Sequence, residues 1–199
     1  MRVISGTAKG HKLVAPKSPR TRPALDQVKE AVFNILFNVE NLKVLDLFAG
    51  CGSVGIEALS RGAVDAVFVE EWDKAIESIR RNLNHCKLES RAIILKSTVE
   101  FAIKKLKKQN RKFDLIFVDP PYLKNLVNPT LLLLANSSLV TENTRIIVEH
   151  HPKEPIEPTE GLRLTDTRKY AQTCITFLRR GSPCGCPLEG RPQGSPLQK

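Results

Sequence analysis

No stretch of this chain approaches the roughly 18 consecutive apolar residues that a membrane-spanning helix needs. The longest pure run in its 199 residues is Leu131 to Ala135. The N-terminus also lacks the continuous apolar core of a secretory signal, so a soluble, cytoplasmic protein is expected. Cysteine is sparse and odd in number: Cys51, Cys86, Cys174, Cys184 and Cys186 are scattered, which argues against a disulfide framework and for reduced thiols. Cys184-Gly-Cys186 has no companion pair of ligands, so no metal is expected. The most telling scarcity is acid. Against 31 Lys and Arg stand 21 Asp and Glu, a formal net charge of +10 and an isoelectric point near 9.6.

The imbalance is uneven. Residues 1 to 25 hold Arg2, Lys9, Lys12, Lys17, Arg20 and Arg22 and no acid at all. A surface of that kind draws in polyanions, and nucleic acid is the partner class it fits. A second basic group, Lys104, Lys105, Lys107, Lys108, Arg111 and Lys112, is read instead as a solvated helix face. Hydrophobic content of 41% is ordinary for a globular protein.

Two short β-type runs, Arg2 to Ile4 and Lys12 to Ala15, flank a Gly-containing link and predict a basic hairpin or arm over residues 1–23. Pro16 to Pro23 is expected to be extended. Asp26 is placed to cap a helix on which Val28, Ala31, Val32, Ile35, Leu36 and Val39 recur at helical spacing. Strands are then predicted at Val44–Phe48, Ala66–Glu70, Arg91–Lys96, Phe113–Asp119 and Arg145–Glu149. Helical stretches near 53–61, 73–85, 98–110 and 124–136 alternate with them. That rhythm implies a doubly wound α/β domain over residues 24–180 with a mostly parallel, seven-stranded sheet. An antiparallel pair, Arg163–Lys169 and Gln172–Arg179, closes it. The last stretch, 181–199, carries four Gly and four Pro and reads as a disordered tail.

Two motifs carry chemistry. The run Lys43 to Asp46 leads into Gly50, Gly52 and Gly55, a dinucleotide-like spacing, with Glu70 lying 20 residues after Gly50. Asp46 decides against a dinucleotide, because a carboxylate beside the loop would repel a pyrophosphate at the helix N-terminus. It suits a ligand with an ammonium and no phosphate, such as S-adenosylmethionine, whose ribose hydroxyls Glu70 can accept. The second motif, Asp119-Pro120-Pro121-Tyr122, follows an apolar strand and therefore stands at its carboxyl end, where open α/β sheets bind ligands. An acid, a carbonyl fixed by proline and an aromatic ring can together hold a flat, amino-bearing base.

With both motifs in place, the chain resembles the class I S-adenosylmethionine-dependent methyltransferases. Within them it is similar to the bacterial small-subunit ribosomal RNA guanine-N2 methyltransferases of the RsmD type. The resemblance covers residues 1 to about 180. It rests on Ser5-Gly6 through Leu13, on Thr21-Arg22-Pro23 with Asp26 and Lys29 to Leu36, on Leu45 to Gly50, on Gly55 to Ala63, and on Asp119 to Tyr122. It implies a Rossmann-like fold in which Asp46, Gly50 and Gly52 hold the methionine part of the cofactor, Glu70 its ribose, Phe48 also belongs to the cofactor site, and Ser97 and Thr98 lie beside the adenine. Asp119, Pro120, Pro121 and Tyr122 would hold the target base. Arg2, Lys9, His11, Lys12, Arg20 and Arg22 would meet RNA. Ala24, Leu25 and Gln27 depart from the family's hydroxyls and arginine, and Thr98 stands where an Asp or Asn is usual. The implied partner is ribosomal RNA in an assembled or assembling small subunit, met by a monomer without metal or membrane.

The expected reaction is direct methyl transfer to a guanine's exocyclic nitrogen. The Asp119 carboxylate and Pro120 carbonyl accept its two N–H bonds and aim its lone pair, while Tyr122 stacks on the base. Two other readings stay open: an adenine-N6 methyltransferase acting on DNA, and a non-catalytic RNA-binding assembly factor. An NAD-linked oxidoreductase is disfavoured by Asp46.

Overall fold

Strands that are apolar at nearly every position need cover on both faces, and this chain supplies it. The protein is described from a computed structural model that covers residues 1–16, 26–170 and 172–181. After an N-terminal arm come α1 (Asp26–Leu36), β1 (Lys43–Asp46), α2 (Ser53–Ser60), β2 (Asp65–Glu70), α3 (Asp73–Cys86), β3 (Ala92–Lys96) and α4 (Val99–Lys108). Then follow β4 (Phe113–Val118), α5 (Val127–Ala135), β5 (Val140–His150), β6 (Leu162–Tyr170) and β7 (Thr173–Arg180). The seven strands form one sheet in the order β3-β2-β1-β4-β5-β7-β6. β1 to β5 pair in parallel, and β7 runs antiparallel to both β5 and β6. The order reverses at β1, whose neighbours are β2 and β4, so the crevice beyond its carboxyl end is where a ligand is expected.

Alternate residues of each strand feed two cores. Val44, Phe68, Leu115 and Phe117 face one side with Phe33 of α1, Leu59 of α2 and Ile79 of α3. Leu45, Val67, Ile116 and Ile146 face the other with Leu106 of α4 and Leu131 of α5.

The arm is narrower than the predicted hairpin. A single antiparallel bridge joins Arg2 and Lys12, helped by Val3 N–H to His11 O at 3.0 Å and Leu13 N–H to Met1 O at 3.1 Å. Asp26 begins α1 instead of preceding it, and its carboxylate takes the Arg2 N–H at 3.3 Å. β5 starts at Val140, five residues earlier than expected, because the register with β4 slips between Phe113 and Leu115 and the buried Thr144 hydroxyl bonds the Phe113 carbonyl at 2.7 Å. α5 starts at Val127 instead of 124, since Leu123 and Asn125 have φ of 58° and 54°. Arg20, Arg22, Cys184, Cys186 and the tail from 182 lie outside the described residues. Among the described residues no helix is long and apolar enough to cross a membrane.

Candidate active site

Asp46 ends β1 and is buried, 3% exposed. Its Oδ2 accepts the Gly55 N–H at 3.3 Å. That contact exists because α2 starts hard against β2: a Cβ on Gly55 would lie 2.3 Å from the Phe68 ring. Burial pushes the Asp46 carboxyl up to about 7, the nearby Glu70 adding to the rise and the N–H groups of Gly55 and Phe48 opposing it.

Glu70 ends β2 and stitches the glycine loop to the next turn. Its Oε2 accepts the Gly50 N–H at 2.8 Å, and its Oε1 accepts the N–H groups of Glu71 and Trp72, each at 2.9 Å. Gly50 and Gly52 take φ of 55° and 81°, left-handed values a branched side chain would resist. Phe48 is half-buried against the second core. Ser97 joins this corner through its N–H to the Glu70 carbonyl at 3.2 Å. Thr98 caps α4 by accepting the Phe101 N–H at 3.3 Å, so its oxygen already serves the helix.

Asp119 follows β4 directly, with Pro120 and Pro121 stiffening the chain beyond it. Burial holds its carboxyl well above the ordinary carboxylate range, and the charges of Glu149 and Asp46 push the same way. Glu149 near the end of β5 was not singled out from the sequence, yet it binds the motif: the Tyr122 hydroxyl donates to its Oε1 at 2.7 Å and shares a 2.6 Å bond with the Thr173 hydroxyl. The Tyr122 ring meets His151 edge-on with centroids 5.8 Å apart. Burial, with Glu149 next, raises the Tyr122 hydroxyl above its ordinary value, so it stays protonated.

Glu154 was also missed. Its buried carboxylate accepts the N–H groups of Leu123 at 2.5 Å and Asn125 at 2.8 Å, the two left-handed residues after the motif. The His150 ring holds the Glu154 carbonyl at 2.9 Å through Nδ1 and the Thr176 hydroxyl at 2.9 Å through Nε2.

Glu70, Asp46, Asp119 and Glu149 thus stand at the carboxyl ends of β2, β1, β4 and β5, four strands that are adjacent in the sheet. Asp46, Glu70 and Asp119 enter none of the ion pairs formed among the described residues. In a chain of net charge +10, such a corner suits a cation. Hollows of about 250 Å³ beside Phe37 and Arg61 and about 150 Å³ beside Arg145 and Asp166 have none of these acids in their walls.

The arm's docking rests on one buried acid. Glu57, fully buried, accepts the N–H groups of Ile4 at 2.8 Å and Ser5 at 3.0 Å, and pairs with Lys29 at 3.3 Å and Arg61 at 2.7 Å. Lys29 reaches on to the Arg2 carbonyl at 2.7 Å. Gly6 packs so close to α2 that a Cβ would lie 1.8 Å from the Ser60 carbonyl. Arg2, Lys9 and Lys12 stay exposed, while His11 bonds the Ala8 carbonyl at 2.9 Å and stacks edge-on with His85 at 4.9 Å. By contrast the second basic group is largely a solvated face: Lys104 pairs with Glu100 at 2.6 Å, and Arg111 with Asp65 at 3.0 Å.

A doubly wound sheet with a glycine loop after β1 and acids along its carboxyl edge defines a Rossmann-like methyltransferase fold. The chain belongs to the family described as Conserved hypothetical protein 95, whose model matches residues 1–179. It is 36% identical over 182 residues to YlbH of Bacillus subtilis, provisionally named an rRNA methyltransferase, covering 90% of this chain and 99% of that one. It is 35% identical over 151 residues to the Ribosomal RNA small subunit methyltransferase D of Escherichia coli (strain K12), covering 75% and 74%. Among solved structures, the Escherichia coli protein yhhF, provisionally named a methyltransferase, superposes with a TM-score of 0.79 at 28% identity, covering 92% of this chain and 98% of that one.

Proposed function

We propose that this protein methylates the exocyclic N2 amino group of a guanine in small-subunit ribosomal RNA, using S-adenosylmethionine. The observation that carries the reading is the acidic corner of Asp46, Glu70, Asp119 and Glu149 in a strongly basic chain. The names of the relatives give the substrate class.

The residues present fit that cofactor. Asp46, with a carboxyl raised to about 7, gains most from a neighbouring cation, which restores its charge at neutral pH. Glu70 keeps lone pairs beyond its three N–H partners for ribose hydroxyls. Gly50 has nothing within 4 Å of where a Cβ would stand, leaving room for a ligand to approach the backbone. Gly52, Phe48 and Thr98 complete the set around the loop and the start of α4. When bound, S-adenosylmethionine supplies a methyl group activated by its sulfonium.

The chain's own part is to hold and align the base. Asp119 in its ionised form and the Pro120 carbonyl accept the two N–H bonds of the amine, which directs the lone pair outward. Pro121 keeps that carbonyl in place. Tyr122 offers its ring as a stacking surface worth roughly 1–3 kcal/mol, kept from turning by the bonds of its hydroxyl to Glu149 and Thr173. The amine's proton becomes acidic once the methyl is attached, so no strong base is needed. Arg2, Lys9, His11, Lys12, Arg20 and Arg22 meet the RNA backbone. The substrate is ribosomal RNA in an assembled or assembling small subunit, and the protein works as a cytoplasmic monomer.

Mass mapping of small-subunit RNA from cells lacking this protein tests the reading. One guanine should lose its N2-methyl group, and purified protein with S-adenosylmethionine should restore it. An unchanged RNA methylation map would overturn the proposal, and methylation of added DNA in its place would favour the adenine-N6 alternative.

A further inference from the structure

The segment after the Asp-Pro-Pro-Tyr motif is built in a way that holding a base does not require. Leu123 is 56% exposed and sits at φ 58°, a backbone setting leucine rarely adopts. Asn125 repeats the left-handed turn at φ 54°. Neither residue is left to find this state alone, because both N–H groups are held by the one buried carboxylate of Glu154. Glu154 is fixed in turn by its own N–H to the His151 carbonyl at 2.9 Å and by the His150 ring on its carbonyl. Strain held in place by dedicated contacts beside a reactive centre is a mark of function. What the strain achieves is to stand an apolar side chain in solvent one residue from Tyr122, with Lys124 exposed just beyond it.

We infer that Leu123 is a wedge that fills the gap in the RNA stack when the target nucleotide swings out toward Asp119, and that Glu154 is the positioning residue that sets it there. The inference rests on the function proposed above. A base inside a stack cannot put its amine into a cleft at the end of a sheet, so it must be extruded at the cost of unstacking. Apolar side chains inserted between base steps recur in proteins that separate bases, since they replace part of the stacking that extrusion removes. Leu123 has the exposure and the place for that role, and Lys124 adds a cation for the flanking phosphate. A leucine serving only the core would be buried instead, as Leu131 and Leu134 of α5 are.

The test compares two RNAs: small-subunit RNA in its folded form, and a short unstructured oligonucleotide spanning the mapped guanine. Leu123→Gly removes the side chain while suiting the left-handed backbone, so a loss in this variant does not come from added strain. The wedge requires the kcat/KM loss in Leu123→Gly to be about tenfold greater on folded RNA than on the oligonucleotide. Glu154→Ala should show the same skew, with Leu123→Met close to wild type. Equal losses on both RNAs, or no loss on folded RNA, would overturn the wedge while leaving the methyltransferase reading intact. A wild-type protein inactive on every RNA would overturn both, and the two failures are told apart by that control.

Discussion

The Glu70 carboxylate accepts the Gly50 N–H at 2.8 Å, tying the end of β2 to the loop that follows β1. One acid thereby fixes the glycine loop at the carboxyl edge of the sheet, where we propose that the cofactor ribose binds. Glu70→Ala frees that N–H and those of Glu71 and Trp72 together. We expect S-adenosylmethionine affinity to drop by about tenfold or more, as removal of a charge-assisted bond of roughly 1.5–3 kcal/mol implies. Calorimetric titration checks this, and unchanged affinity would remove Glu70 from the cofactor site.

Asp46 gives a pH dependence of defined sign. Its carboxyl sits near 7 in the folded chain against 3.8 as a free side chain. The folded protein therefore binds the proton more tightly than the unfolded chain, and stability falls as pH rises from about 4 to about 7. Asp46→Asn abolishes this contribution. In urea at pH 8 the variant should exceed wild type by on the order of 1–4 kcal/mol, with the gap shrinking toward zero near pH 4. A gap independent of pH would contradict the assignment.

Much of the fold was legible because β1 to β4 are short apolar runs and α1, α3 and α4 each carry one apolar face, both local properties. The features that escaped are those set by distant partners. Nothing in residues 124 to 126 marks the delayed start of α5, since Glu154, some thirty residues on, holds Leu123 and Asn125 out of the helix. β5 extends beyond its apolar run for a similar reason, the Thr144 hydroxyl bonding across to Phe113. Asp46, Glu70 and Asp119 stand out in the sequence because each is an acid closing an apolar strand. Glu149 obeys the same rule after Ile146-Ile147-Val148, and that signal could have added it to the site.

The arm depends on Glu57, a buried acid with two cations and two backbone donors. Glu57→Gln leaves the Lys29 charge without its partner in a buried setting, a change that costs about 3–5 kcal/mol. Thermal unfolding should move down accordingly, and RNA affinity should fall with it. Wild-type stability would mean that the arm docks by other means.

Lys9 and Lys12 are exposed on the arm and have no part in that docking bond set. Replacing both by Ala should weaken RNA binding with little change in stability. The plot of log affinity against log salt should flatten by about one unit for each phosphate that is no longer neutralised. An unchanged slope would place the RNA elsewhere on the surface.

Asp119→Ala tests the central claim most directly, measured as single-turnover methyl transfer to small-subunit RNA beside the dissociation constant for S-adenosylmethionine. Transfer should drop by about a hundredfold or more while cofactor affinity stays within a few-fold, because the acid aligns the base and not the donor. Transfer at the wild-type rate would contradict the account.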